Sequence, residues 1–150
     1  MDKAKSILVV DDDETILKSL EAVLRSEGYH VDTAGNGREA VEKSEAGFYD
    51  LALLDIKLPD MEGTELLAKM HGSLPRMMKI MVTGYPELEN AVESLNKGAD
   101  AYLMKPVSPS KLLKVVKEKL VEQEEANKMS QDQVKKWIET RVRKLKSGGL

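Results

Sequence analysis

The sequence contains no cysteine, which excludes disulfides, thiolate metal sites and cysteine nucleophiles together. That absence fits a reducing compartment. Aromatic residues make up only 4% of the chain, so its core has to be built from Leu, Val, Ile, Ala and Met. Long apolar runs are missing too. The first one, Ile7 to Val10, is too short for a signal peptide or a membrane span, and three aspartates end it. A cytoplasmic protein without a transmembrane segment is expected. Histidine is scarce: His30 begins an expected strand, His71 ends an expected helix, and neither has a companion at metal-ligand spacing. Surface or capping roles are expected for both.

What is present suits one domain with an appendage: 150 residues, 41% hydrophobic and 33% charged. The net charge of −3 is unevenly spread. Residues 131–150 hold six basic and two acidic side chains, a net of +4, and the remainder carries a net of −7. The chain is an acidic body with a basic tail.

Short apolar, β-branched runs alternate with segments of helical period. SILVV, HVDTA, DLALL, MKIMVTG and AYLMK read as five strands. Between them, ETILKSLEAVLRSEG carries Ile16, Leu17, Leu20, Val23 and Leu24 on one stripe, with Gly28 as a stop. GREAVEKSEAG, TELLAKMHG and PELENAVESLNKG read as three further helices, the last with Pro86 near its start and Gly98 after its end. SPSKLLKVVKEKLVEQEE opens a fifth helix with Ser108 as N-cap and Pro109 in the first turn. Five such units predict an α/β fold, a doubly wound five-stranded parallel sheet of flavodoxin-like (βα)5 type with a C-terminal helical extension. Residues 1–125 would form the domain and 126–150 a basic helical extension, or a linker to an absent output domain.

Ligands of such sheets bind beyond the carboxyl ends of the strands. The first strand ends in Asp11, Asp12 and Asp13, the third in Asp55, the fourth in Thr83-Gly84 and the fifth in Lys105-Pro106. Taken singly, each is ordinary: a helix N-cap, which Asp13 is expected to be, or a turn, or a strand exit. Together they bring carboxylates, a hydroxyl and an ammonium to one crevice. Clustered carboxylates repel, and a hard divalent cation such as Mg²⁺ relieves that repulsion. A hydroxyl and a lysine would then receive an incoming oxyanion. The set is arranged for a phosphoryl group with an aspartate as acceptor.

The stretches ILVVDDD, LALLDIKLPDMEG, IMVTG and AYLMKP make residues 5–125 resemble the receiver domain of two-component response regulators. The resemblance implies that Asp55 accepts a phosphoryl group, and that Asp11 and Asp12 place Mg²⁺, Asp12 being the stronger candidate for direct ligation. It implies that Lys57 lends its backbone carbonyl to the metal. Thr83 and Tyr102 would be the switch residues, although ordinary core packing also accounts for Tyr102. Lys105 would pair with a phosphoryl oxygen, and the Lys105-Pro106 bond would be cis. Pro59 and Gly63 would shape the loop after Asp55. A histidine kinase or a histidine phosphotransfer protein is the implied donor. The output would be a changed surface of helix four, strand five and helix five. Such a chain is no enzyme beyond assisting its own phosphorylation and dephosphorylation.

Two other readings compete. A Mg²⁺-dependent aspartyl phosphohydrolase usually has a second acid two residues past its nucleophile, and here that residue is Lys57. A binding module that works without phosphorylation would not need the complete set of Asp11, Asp12, Asp55, Thr83 and Lys105.

The tail sequence QVKKWIETRVRKLKSGGL places Val134, Trp137, Ile138, Val142 and Leu145 at helical spacing among six basic residues. It could fold back and bury Trp137, dimerise, meet a membrane surface or an acidic partner, or lead into an output domain. Helix five continuing through it, docked or self-associated, is the expectation, since a helix this short is marginal alone. Homodimers through that helix, or through the face of helix four, strand five and helix five, are both conceivable. Direct nucleic acid binding is not expected, because no second helix completes a helix-turn-helix.

In the receiver family, the residues two beyond the acceptor and two beyond the switch hydroxyl tune phosphate loss, here Lys57 and Tyr85. Bulky Tyr85 is expected to shield the acyl phosphate. Tyr85→Ala should then lose phosphate faster than the parent chain in a timed decay assay, and an unchanged rate would reject the shield.

Overall fold

The computed structural model describes residues 4–70, 76–84, 93–94 and 98–146. Five strands, β1 (Ser6–Val10), β2 (His30–Ala34), β3 (Leu51–Leu54), β4 (Met78–Thr83) and β5 (Ala101–Met104), form one sheet. Every pairing is parallel and the strand order is β2-β1-β3-β4-β5. The central strands read as unbroken apolar runs because both sheet faces are covered. Leu51 to Leu54 are all buried, as are Ile7 to Val10.

Alternation along the strands divides the core in two. Ile7, Val9, Leu51, Leu53, Ile80 and Val82 face α1 (Glu14–Ser26) and the C-terminal helix (Pro109–Lys146). Leu8, Val10, Leu54 and Met81 face α2 (Gly37–Ala46) and α3 (Gly63–Lys69). Helix α1 starts where the Asp13 carboxylate accepts the N–H groups of Thr15 and Ile16, 2.9 and 3.3 Å away. That is the expected N-cap, and it satisfies two otherwise unpaired donors. Gly28 follows the helix at φ +91°, a backbone conformation that costs other residues a Cβ clash.

Ser108 caps the C-terminal helix, its hydroxyl accepting the Lys111 N–H at 3.3 Å. This helix runs without a break to Lys146. The stretch 126–133 is therefore helix, not a flexible linker. The fold-back reading of the tail is overturned: Trp137 is 60% exposed and Leu145 73%. The body-facing stripe Leu112, Val116, Leu120 and Gln123 runs off the sheet before it reaches Val134. Gln123 is buried, and its amide donates to the carbonyls of Asp50 and Arg76 at 2.9 and 2.7 Å. One side chain thus ties the helix to the entrances of β3 and β4. The expected helix over PELENAVESLNKG lies mostly outside the described residues, as does His71; His30 is exposed at the start of β2.

Candidate functional site

The strand order reverses direction between β1 and β3, and the loops leaving these strands diverge to opposite faces of the sheet. Asp11 and Asp55 flank that switch point. Each extends its strand by one more ladder bond, from Asp11 N–H to Ala34 O at 3.1 Å and from Asp55 N–H to Val10 O at 3.0 Å. Their backbones are therefore set by the sheet and not by a loop. Both are buried. Asp12 beside them is exposed.

Lys105 Nζ reaches across from the end of β5 and donates to Asp11 Oδ2 at 2.6 Å and to Asp55 Oδ2 at 3.3 Å. Its own N–H donates to Thr83 O at 2.8 Å, so the end of β4 positions the lysine backbone. The Lys105-Pro106 peptide is cis. Thr83 is fully buried. By strand alternation Thr83 and half-buried Tyr102 share the face of Met81, on neighbouring strands; Tyr102 packs against the α2–α3 side of the core.

One oxygen from each of Asp11, Asp12 and Asp55 lies within 4.8 Å of the others. This all-oxygen, carboxylate-rich set suits a hard cation such as Mg²⁺ or Ca²⁺ and offers nothing to a soft one. Burial and the Asp11 carboxylate push the Asp55 carboxyl above its usual range, and Lys105 and the Lys57 N–H oppose this without cancelling it. Burial alone would lower the Lys105 ammonium, but the two carboxylates outweigh it and the net shift is upward. A raised carboxyl pKa means that folding favours the protonated acid. Its stability contribution is present below the unfolded pKa and is lost as pH rises through the folded value. Burial and repulsion by Asp11 thus disfavour the charged Asp55 carboxylate, and a cation among the three carboxylates would offset both.

A cleft of about 540 Å³ opens over these groups, lined also by Lys57, Pro59 and Gly84. The Lys57 N–H points at Asp55 Oδ1 from 3.4 Å, and its side chain is exposed. Tyr85 lies outside the described residues. Gly63 closes the loop: its N–H donates to Ile56 O at 2.5 Å, and a Cβ there would strike the Asp55 carbonyl.

The sequence reading overlooked Asp60. Its two carboxylate oxygens accept the Gly37 and Arg38 N–H groups at 2.8 and 2.9 Å, capping α2 from 23 residues away. Asn36 caps the next N–H, that of Glu39, at 2.8 Å. The loop that carries Lys57 is thereby anchored at its tip to a second helix. These hydrogen bonds also hold the Asp60 carboxyl below its usual range.

The chain belongs to the response regulator receiver domain family, whose model matches residues 7–117. A CheY-like receiver domain protein of Methanospirillum hungatei JF-1 is 59% identical, with a TM-score of 0.80 over 83% of this chain and 99% of that one. The transcriptional regulatory protein ZraR of Klebsiella oxytoca is 40% identical over 114 residues, 76% of this chain and 26% of that protein. The cell cycle response regulator CtrA of Brucella ovis is 35% identical over 107 residues, 71% of this chain and 46% of that protein. The chain thus spans less than half the length of these curated relatives.

Asp60→Ala should leave the sheet intact but loosen the Lys57 loop from α2 and so weaken any divalent-cation binding at the three carboxylates. Asp60→Asn, which keeps one acceptor oxygen, should recover part of it. Calorimetric titration of the two variants checks this, and affinity equal to the parent in both would show the anchor to be irrelevant to the site.

Proposed function

We propose that this receiver domain takes a phosphoryl group on Asp55 from the phosphohistidine of a sensor kinase or a histidine phosphotransfer protein. The observation that carries the reading is the Lys105 ammonium held between Asp11 and Asp55 at the switch point of the sheet. A receiver family member implies a histidine kinase partner and is not a classical enzyme. No helix among the described residues is long and apolar enough to cross a membrane, and a cytoplasmic setting is part of the proposal.

In this reading an Asp55 carboxylate oxygen attacks phosphorus, the bond to the donor nitrogen breaks, and an acyl phosphate results. Asp11, Asp12 and Asp55, with the Lys57 carbonyl, would hold Mg²⁺. When bound, the ion would supply positive charge to offset that of the carboxylates and of the incoming phosphoryl group. Lys105 exchanges one of its carboxylate partners for a phosphoryl oxygen. The Thr83 hydroxyl donates to another, moving toward the new charge. Tyr102 follows on the same sheet face, which changes the surface around β5 and so the choice of partner. Water later removes the phosphoryl group, with Lys57 and Tyr85 setting the rate. Residues 1–125 form the switch in this account, and 126–150 its basic extension. A second copy of the chain is a further partner, through the β5 face or the C-terminal helix.

Intact mass after incubation with acetyl phosphate tests the proposal. One phosphoryl adduct that requires both Mg²⁺ and Asp55, and is absent from Asp55→Asn, is expected. No adduct under any condition would leave the phosphorylation-independent binding module as the better reading.

A further inference from the structure

The face of the C-terminal helix that docks on the sheet does not stop where the sheet stops. Leu112, Val116, Leu120 and Gln123 are buried against the body. At 100° per residue the same face continues through Val134, Ile138 and Leu145. Those three are between 49% and 73% exposed. Between this overhang and the entrance of β4 lies a groove of about 1100 Å³, at the end of the sheet opposite Asp55. Met78, Ala126, Val134 and Ile138 give it apolar walls.

The direction of the apolar stripe limits what can cover it. It lies on the side of the helix that carries the body, so the groove is a notch, with the overhang as one wall and the end of the sheet as the other. A flat lipid surface would meet the body before it met Val134. A nucleic acid would set hydrated phosphates against apolar walls, which is costly. A helix, about 10–12 Å across, enters such a notch and meets both walls.

Charge selects the kind of helix. Residues 135–146 carry six basic side chains and one acidic, a net of +5. Lys135 and Lys146 border the stripe on one side and Lys144 on the other. Val134, Ile138, Arg141 and Leu145 are spaced four, three and four apart, the seam period of paired helices. Arg141 thus holds a seam position, with its guanidinium over the Trp137 ring, 4.9 Å from the centre. Covering a cation there is costly unless a carboxylate meets it. A second copy would set the same +5 against this segment, and like charges across a seam oppose pairing.

We propose that the groove receives an amphipathic helix of a partner protein, apolar where it faces Met78, Val134 and Ile138 and acidic on both flanks, with a carboxylate set against Arg141. This goes beyond the phosphorylation reading and does not depend on Asp55.

Trp137 is the only tryptophan of the chain and is 60% exposed, so its emission reports the covering of the stripe. A synthetic helical peptide with leucine on one face and glutamate on both flanks should bind the full chain, shift that emission to the blue and bind less tightly as salt rises. The same peptide with lysine for glutamate should bind weaker by roughly tenfold or more. Ala126→Glu, which puts a charge in the groove wall, should weaken the glutamate peptide by roughly tenfold with helix content by circular dichroism unchanged. Arg141→Glu should move the preference toward the lysine peptide. Equal binding of the two peptides, or binding that Ala126→Glu leaves untouched, would overturn the proposal. So would a blue shift with phosphatidylglycerol vesicles or duplex DNA and none with the glutamate peptide. A dimer in sedimentation equilibrium that Ile138→Asp abolishes and the glutamate peptide fails to displace would overturn it in favour of a second copy.

Discussion

The Lys105 ammonium, shared between Asp11 and Asp55, is the contact on which the site depends. Two buried carboxylates at the ends of adjacent strands would repel across a poorly hydrated gap. One lysine from the far side of the sheet reduces that repulsion but does not remove it, since the Asp55 carboxyl stays above its usual range. The protein keeps an incomplete charge balance at a place where an apolar pair would pack better. Under the proposed function a cation would offset that excess, and a phosphoryl group on Asp55 would then lie within reach of the lysine and of Thr83.

The rest of the fold holds this imbalance in place. Parallel pairing carries Asp11 and Asp55 on the ladder itself, and the β4 end fixes the Lys105 backbone through Thr83 O. The loop after Asp55 is closed by Gly63 and anchored by Asp60 to α2. At the other end of the sheet, Gln123 ties the C-terminal helix to the entrances of β3 and β4. Packing and capping thus meet the cost of a strained electrostatic site, as expected where function overrides local preference.

Much of this is legible in the sequence. The strands showed as apolar runs because both faces of a parallel sheet are buried, and the strand ends showed as Asp, Asp, Thr and Lys because those residues have no structural reason to recur there. The cis Lys105-Pro106 peptide, expected from the family resemblance, is present. Two contacts were not legible in the same way. Asp60 bonds to backbone N–H groups, which leave no trace in side-chain patterning, and the partners lie 23 and 22 residues away. Gln123 did leave a trace, a polar residue on the buried stripe of Leu112, Val116 and Leu120, but a stripe is normally read for its apolar members. The tail's apolar spacing was visible, yet periodicity alone does not tell a docked face from an overhanging one; only the length of the sheet beside it does.

The central claim is that Asp55 is held in a charge excess that a divalent cation relieves. Thermal unfolding of the parent chain and Asp55→Asn, each at neutral pH in chelator and in Mg²⁺, tests it most directly. The account predicts that Asp55→Asn is the more stable protein in chelator, by roughly 2–4 °C for each kcal/mol of repulsion removed. It predicts that Mg²⁺ raises the parent's midpoint and narrows the gap. A parent chain more stable than Asp55→Asn without metal, or a midpoint that Mg²⁺ leaves unmoved, would contradict it.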